Sequence, residues 1–238
     1  MKKKEEIINI LNSNLIYNVN VINFINNYEI DEIKTEGNIV LIKGSSDEKW
    51  LYTSCKNKKE FEKILAWVDE SDKYFVIQRD WELEMIREKY EIDWLLSCEK
   101  LVLSDDVKLV EGDNDKLTNI EADDAEYIYN NYGYSDYASV EYIRERIIND
   151  LALGIKKDKK LVAWLLIHDD GAIGMLHVLE EYRGNGHARN LMESMIVKLR
   201  SENRIPFVHI ESRNIASKNL CKKLGFTKYG YIHWVKIK

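Results

Sequence analysis

The chain has 238 residues, 45% of them hydrophobic and 32% charged, with 11 Gly and a single Pro, Pro206. That length buries one large core or two small ones, and the composition excludes a disordered or Pro/Gly-rich low-complexity chain. A formal net charge of −6 argues against non-specific binding to phosphate backbones, so no nucleic-acid partner is expected.

Starting from the N-terminus, MKKKEEIINILNSNL mixes Lys with Glu5 and Glu6. It has no apolar signal-type region and reads as the start of a helix. NIVLIKG and EKWLYTS read as strands, followed by a helix with Phe61, Ile64, Leu65 and Val68 on one face, the strand KYFVIQ, a helix from Trp81 to Tyr90, and the strand WLLSCEKLVL. The stretch from Ser104 to Lys116, rich in Asp, Gly and Lys, reads as a linker.

Beyond it, Ala125 to Tyr132 and Val140 to Leu151 carry apolar residues at helical spacing. An antiparallel meander follows: a short strand, a turn at Asp158, a strand from Lys160 to His168, an Asp-Asp-Gly turn and a strand from Ala172 to Leu179. Then come a glycine-rich turn, a helix from Ala188 to Leu199, a strand Phe207 to Glu211, a helix Ala216 to Leu224, and closing strands Thr227 to Tyr231 and His233 to Lys238. The longest apolar run, LVAWLLI from Leu161 to Ile167, is far shorter than the roughly 18 residues that span a bilayer, and no membrane partner is expected. Cys55, Cys98 and Cys221 are widely separated with no C-x-x-C pair, which fits a reducing, cytoplasmic setting and gives no metal site.

Residues are unevenly distributed. All five histidines lie in the last third, and only Gly37 and Gly44 precede Gly112. Glycine permits positive φ and histidine titrates near neutrality, so the chemistry is expected in the C-terminal half. Within HVLEEYRGNGHARNLMESM, His177 to Met195, a strand ends, two glycines turn the chain and a helix begins at once. Backbone N–H groups and the positive end of the helix dipole then converge on one spot, an anion site suited to a pyrophosphate. A Walker loop needs Lys-Ser/Thr after its second glycine, whereas Gly186 is followed by His187-Ala188. A dinucleotide fingerprint counted from Gly184 puts its third small residue at Arg189 and needs a parallel β-α-β unit.

The pattern R-x-x-G-x-A, formed by Arg183, Gly186 and Ala188, instead resembles the pyrophosphate loop of the GNAT superfamily of acyl-coenzyme A-dependent N-acyltransferases. Leu176-x-Val178 ahead of Tyr182-Arg183-Gly184 resembles that family's fourth strand, and NIASKNLCKKLGF resembles its N-x(5)-L-x(3)-LGF signature. LEEYRGNG, PFVHIESRN, SKNLCKKLGF and a tail with His233 and Trp234 are most similar to the glycine N-acyltransferase-like branch. By motif the likeness covers roughly residues 107 to 238.

The resemblance implies an α+β fold with a mixed, mostly antiparallel sheet flanked by helices. A catalytic domain is expected over residues 106–238. Residues 1–105, whose element order repeats without residue-level repetition, are expected to form a degenerate copy. The co-substrate implied is acetyl-CoA or another acyl-CoA, with a small-molecule amine or amino acid as acceptor. Backbone amides of Gly184, Asn185, Gly186, His187 and Ala188 would bind the pyrophosphate, with Arg183 shaping the loop. Leu176 and Val178 would pair with the pantetheine arm, Val178 N–H would face the thioester oxygen, and Asn214 would contact the arm or cap its helix.

Where the branch has a glutamate base, this chain has Ala172, and where the superfamily has a tyrosine acid, it has Cys221. Glu211 and His177 are therefore the candidate bases, with His209, Glu180 and Glu181 nearby, and Cys221, Tyr229 or Tyr231 is the candidate acid. Tyr132 to Tyr142 is a candidate acceptor-side wall. The same two replacements support an alternative, a coenzyme A-binding or sensor module without turnover.

Overall fold

A computed structural model describes residues 2–108, 117–133 and 138–238; residues 109–116 of the expected linker and 134–137 of the expected acceptor wall lie outside the described residues. The first part runs α1 (Lys2–Asn12), α2 (Leu15–Asn27), β1 (Ile30–Glu36), β2 (Ile39–Ser45), β3 (Lys49–Ser54), α3 (Lys58–Ala66), β4 (Tyr74–Ile77), α4 (Asp80–Lys89) and β5 (Ile92–Val102). The second runs β6 (Thr118–Asn119), α5 (Ala125–Asn131), α6 (Val140–Asn149), β7 (Ala152–Lys157), β8 (Lys160–Ile167), β9 (Ile173–Val178), α7 (His187–Ser201), β10 (Phe207–Glu211), α8 (Ile215–Lys223) and β11 (Thr227–Ile237). Among the described residues no helix is long and apolar enough to cross a membrane.

All strands share one sheet, ordered β1-β2-β3-β4-β11-β5-β10-β9-β8-β7-β6. Neighbours are antiparallel except β3 with β4 and β9 with β10. The two parts repeat one order: two antiparallel strands, a third that leads into a helix, a parallel fourth, a second helix and a long last strand. Those last strands are exchanged. β5 lies between β10 and β11, with Val102 opposite both Phe207 and Thr227, and β11 lies between β4 and β5. The sheet therefore has no seam at which the parts separate.

Alternation explains which side chains meet. On β5, Trp94, Leu96 and Cys98 turn to the face on which α1 and α2 pack, while Leu95 joins the α3/α4 side, as does Ile92 beyond a register shift opposite Lys236 and Ile237. β8 is buried on both faces from Leu161 to Ile167, a run packed between helices as central strands are. Each fully buried Leu or Ile contributes about 1.5–3 kcal/mol against exposure.

Three departures from the sequence reading have physical causes. α2 carries Tyr17, Val19, Val21, Ile22, Phe24 and Ile25 with Asn18 and Asn20, all buried; its apolar residues surround the helix, so no one-faced periodicity marks it. β1, IDEIKTE, carries only two apolar residues, with no strict alternation, and none of its residues is fully buried, which hides it. The two closing strands are one, β11, with a bulge between Lys228 and Gly230 that bends the strand without ending it.

Candidate functional site

The parallel strands β9 and β10 are joined at one register position, Val208 opposite Ile173. Beyond it they diverge, helped by an irregularity in the β8–β9 ladder and by Met175 at φ 52°. Leu179 N–H donates to Val162 C=O at 2.9 Å. By the alternation of an antiparallel ladder, the neighbouring Val178 N–H and C=O then face the divergent side. There Arg183 Nε donates to the Val178 carbonyl at 3.1 Å.

After β9 the chain makes a 3-10 turn over Glu180–Tyr182 and enters α7 through Gly184 (φ 80°) and Gly186 (φ 78°). Both glycines sit in the left-handed region that disfavours side chains. A Cβ on either would meet nothing within 4 Å, so the turn opens outward. Asn185 Nδ2 stabilises it by donating to the carbonyls of Tyr182 and Arg183 at 3.1 and 3.3 Å. The first bond of α7 runs from Asn190 N–H to Gly186 C=O; the amides before it, Ala188 and Arg189 among them, point out along the helix axis. The expected residues Gly184, Asn185, Gly186, His187 and Ala188 thus form one continuous rim, with Arg183 bound to its base.

Between the diverging strands is a cavity of about 230 Å³. Leu176, Asn214, Ser217 and Cys221 line the end nearer the glycine turn, and Asp47, Trp50, Trp94 and Trp234 belong to the far wall. Asn214 caps α8, its Oδ1 accepting from Ser217 N–H at 3.1 Å. Glu211 lines the cavity with Arg213 Nε 2.8 Å from its carboxylate. Cys221 lines it too, and burial pushes its thiol up to about 12.

His177 is a correction to the sequence reading. Its ring stacks on Trp164, with centroids 4.7 Å apart, and it is absent from the cavity walls. Adjacent residues on a strand face opposite ways, and Leu176 takes the inward direction. Burial, with Arg183 nearby, holds the His177 imidazole below its ordinary range.

Asp169-Asp170-Gly171 has the sequence of a hairpin turn, and the structure places both carboxylates in the cavity wall. Asp169 accepts from Ser46 Oγ at 2.6 Å and Tyr142 Oη at 3.1 Å. Burial, reinforced by Asp170 and Asp47, pushes it up to about 7. Asp170 accepts from Asn20 Nδ2 at 2.5 Å and from Ala172 N–H at 3.1 Å. The same Asn20 nitrogen approaches His209 Nε2 at 3.1 Å, and Asp170 is 3.6 Å from His209 Nδ1. Asn20 donating to Nε2 leaves the ring proton on Nδ1, facing Asp170. Burial pushes His209 down to about 3, so the ring is neutral.

Asn20 Oδ1 in turn accepts from Lys100 Nζ at 2.5 Å, and Lys100 also donates to Tyr17 C=O and Gln78 Oε1 at 3.1 and 3.2 Å. All three ammonium donors are used, yet burial pushes Lys100 down to about 7. The glycines make this cluster possible. A Cβ on Gly171 (φ 85°) would meet Asn23 Nδ2 at 2.2 Å, and one on Gly174 would meet His168 Nε2 at 2.0 Å. Ala172 is fully buried with Val19, Val102 and Phe207, where α2 occupies the space a longer side chain would need.

The corresponding place in the first part is closed. β3 and β4 pair at Trp50–Tyr74, Leu51–Phe75 and Tyr52–Val76. The start of α3 is filled by its own side chains: Asn57 Oδ1 accepts from Glu60 N–H at 3.1 Å, and Glu60 Oε2 accepts from Lys56 N–H at 2.6 Å. The Asn57 cap takes a helix N–H that an anion would use, and the Glu60 carboxylate adds a negative charge at the same spot.

This arrangement, a mixed sheet split beside a glycine turn at a helix start, is the GNAT-superfamily N-acetyltransferase fold. The FR47-like protein family matches residues 152–235, and no curated protein matches the sequence. Three solved structures are similar over most of their length. A Drosophila protein superposes with TM-score 0.73 at 13% identity, covering 99% of this chain and 96% of that one. A GCN5-related N-acetyltransferase from Kribbella flavida gives 0.58 at 12% identity, covering 93% and 94%. A tandem GNAT protein from the clavulanic acid biosynthesis pathway gives 0.50 at 13%, covering 92% and 87%.

Proposed function

We propose that the protein is an acyl-CoA-dependent N-acyltransferase, moving an acyl group, acetyl in the simplest case, from coenzyme A to the amine of a small molecule. The observation that carries this reading is the unpaired edge of β9, which ends in the left-handed glycine turn at the start of α7. An extended, amide-bearing arm can add to that edge as a strand does, with Leu176 and Val178 as its partners, while its pyrophosphate meets the amides from Gly184 to Ala188. Val178 N–H, turned to the split, suits a thioester oxygen that gains charge during the reaction.

Asp169 is the base in this reading. A carboxylate pushed up to about 7 is half ionised at neutral pH, where a general base is most effective. Asp169 precedes β9 and Val178 ends it, so the carboxylate takes a proton from the ammonium through intervening water; the nitrogen lone pair attacks the thioester carbonyl, the C–S bond breaks with its electrons on sulfur, and the second nitrogen proton leaves to the thiolate or to water. Holding both substrates in one cleft supplies much of the rate. Glu211, engaged by Arg213 at the rim, has a supporting electrostatic role. Cys221, with its thiol at about 12, is a reluctant donor to a thiolate whose own acid is near ~8.5, and it serves as packing.

Residues 106–238 form the catalytic unit and residues 1–105 a degenerate copy that lost its own coenzyme site. The repeated strand order, the capped α3 and the tandem GNAT protein among the similar structures support this division. The test is release of free thiol from acetyl-CoA with an amine panel. Amine-dependent release supports transfer; acetyl-CoA binding without release under any amine makes the protein a coenzyme-binding module, the reading that Ala172 favours.

A further inference from the structure

We propose that the acceptor is a diamine or polyamine, a molecule with a second ammonium and no carboxylate. The proposal rests on the acyl-transfer reading and names the substrate class of that same cleft. It departs from the amino-acid acceptor implied by the sequence resemblance.

Four carboxylates line the cavity, Asp47, Asp169, Asp170 and Glu211, and no Lys or Arg does so among the described residues. The nearby cations are committed elsewhere. Arg213 pairs with Glu211 at the rim, Lys100 contacts Asn20, Tyr17 and Gln78, and Arg146 is held by two bonds to Glu145. Asp169 is met by the neutral hydroxyls of Ser46 and Tyr142, and Asp47 by Trp50 Nε1 at 2.8 Å and Glu48 N–H at 2.9 Å. An acceptor carboxylate would have no cationic side chain to pair with and several like charges to face. An ammonium meets the opposite situation.

One ammonium accounts for Asp169, which removes its proton. A second accounts for Asp47, on the loop after β2, which shares Ser46 Oγ with Asp169 at 3.0 and 2.6 Å, so the two carboxylates offer adjacent ammonium sites at one end of the cavity. The far wall supplies what the carbon chain needs: Trp50, Trp94, Leu96 and Trp234 offer apolar surface for methylenes and indole faces for a cation. Trp50 joins the two features, because its ring lies in this wall while its N–H holds Asp47.

The test compares three acceptors of one length that differ at one end: 1,4-diaminobutane, n-butylamine and 4-aminobutanoate. With the full chain and acetyl-CoA, kcat/KM from thiol release is expected to fall about tenfold from the first to the second and at least tenfold again to the third. Asp47→Asn, which keeps the acceptor oxygen for Trp50, is expected to shrink the diamine-to-butylamine ratio to about threefold or less. Calorimetric titration of the same compounds gives a readout independent of turnover: 1,4-diaminobutane binds most tightly and 4-aminobutanoate least. Thiol release that favours 4-aminobutanoate, or that treats the diamine and butylamine alike, overturns this proposal and leaves acyl transfer standing. Selective diamine binding with no thiol release supports the acceptor class and removes the transfer reading.

Discussion

Val208 faces Ile173 across the single register position at which β9 and β10 are joined, and everything C-terminal to that pair on the two strands stands apart. The divergence leaves Val178 N–H aimed into a gap instead of a ladder, and it ends at Gly184 and Gly186, whose positive φ angles start α7. A residue with a side chain at either glycine adopts that conformation at a cost of roughly 1–2 kcal/mol.

Gly186→Val tests the turn. The built Cβ meets no neighbour, so the strain is confined to the turn itself, where valine resists the left-handed φ and displaces the amide rim. Acetyl-CoA affinity by calorimetry is expected to drop at least tenfold with an unchanged far-ultraviolet spectrum. Equal affinity in variant and wild type contradicts the assigned coenzyme site.

Asp169→Asn tests the base and has a stability signature of its own. Wild-type kcat/KM is expected to rise with pH through about 7, and the variant to lose that limb along with about 100-fold in kcat. The folded carboxyl titrates above the ~3.9 of an unfolded Asp, so the stability it contributes is complete below pH 4 and is lost as pH rises through 7. The variant escapes that loss. Its melting temperature is expected to exceed wild type at pH 8 by on the order of 10 °C, the equivalent of about three pK units, and to converge with it towards pH 4.

Lys100→Met tests the buried ammonium with the opposite slope. Lys100 is held down to about 7 against ~10.4 unfolded, so its contribution is present above pH 10 and lost as pH falls through 7. The wild-type urea midpoint is expected to gain between pH 8 and 10 relative to the variant. The variant is also less stable throughout, because Asn20 Oδ1, Tyr17 C=O and Gln78 Oε1 lose their donor, at about 1–3 kcal/mol for each group left buried and unpaired.

Strand exchange predicts that neither part folds alone. Without β5, the edges of β10 and β11 that it joins are unpaired. A fragment of residues 106–238 is expected to show no cooperative melt, and mixing it with residues 1–105 to restore one. A cooperative transition in the isolated C-terminal fragment contradicts this.

The glycine turn, the helix it starts and the meander before it were legible because each is local: spacing within twenty residues is enough to read strand, turn and helix. Asp169 and Asp170 were not, since an Asp-Asp-Gly sequence is indistinguishable from an ordinary hairpin turn. Their surroundings are remote in sequence. Asn20 lies 150 positions from Asp170 and 80 from Lys100, and sits on a helix whose all-round apolar character gave no amphipathic signal. His177 misled because a histidine in the right strand says nothing of its face until a register is fixed; Trp164 opposite it decides the matter.

Continuous measurement of free thiol with the full chain, acetyl-CoA and the amine series tests the central claim most directly. Acyl transfer with Asp169 as base predicts release that requires the amine, rises with pH through about 7 in the wild type and is reduced about 100-fold by Asp169→Asn. Release that is absent with every amine despite bound acetyl-CoA, or present at equal rate without any amine, contradicts it.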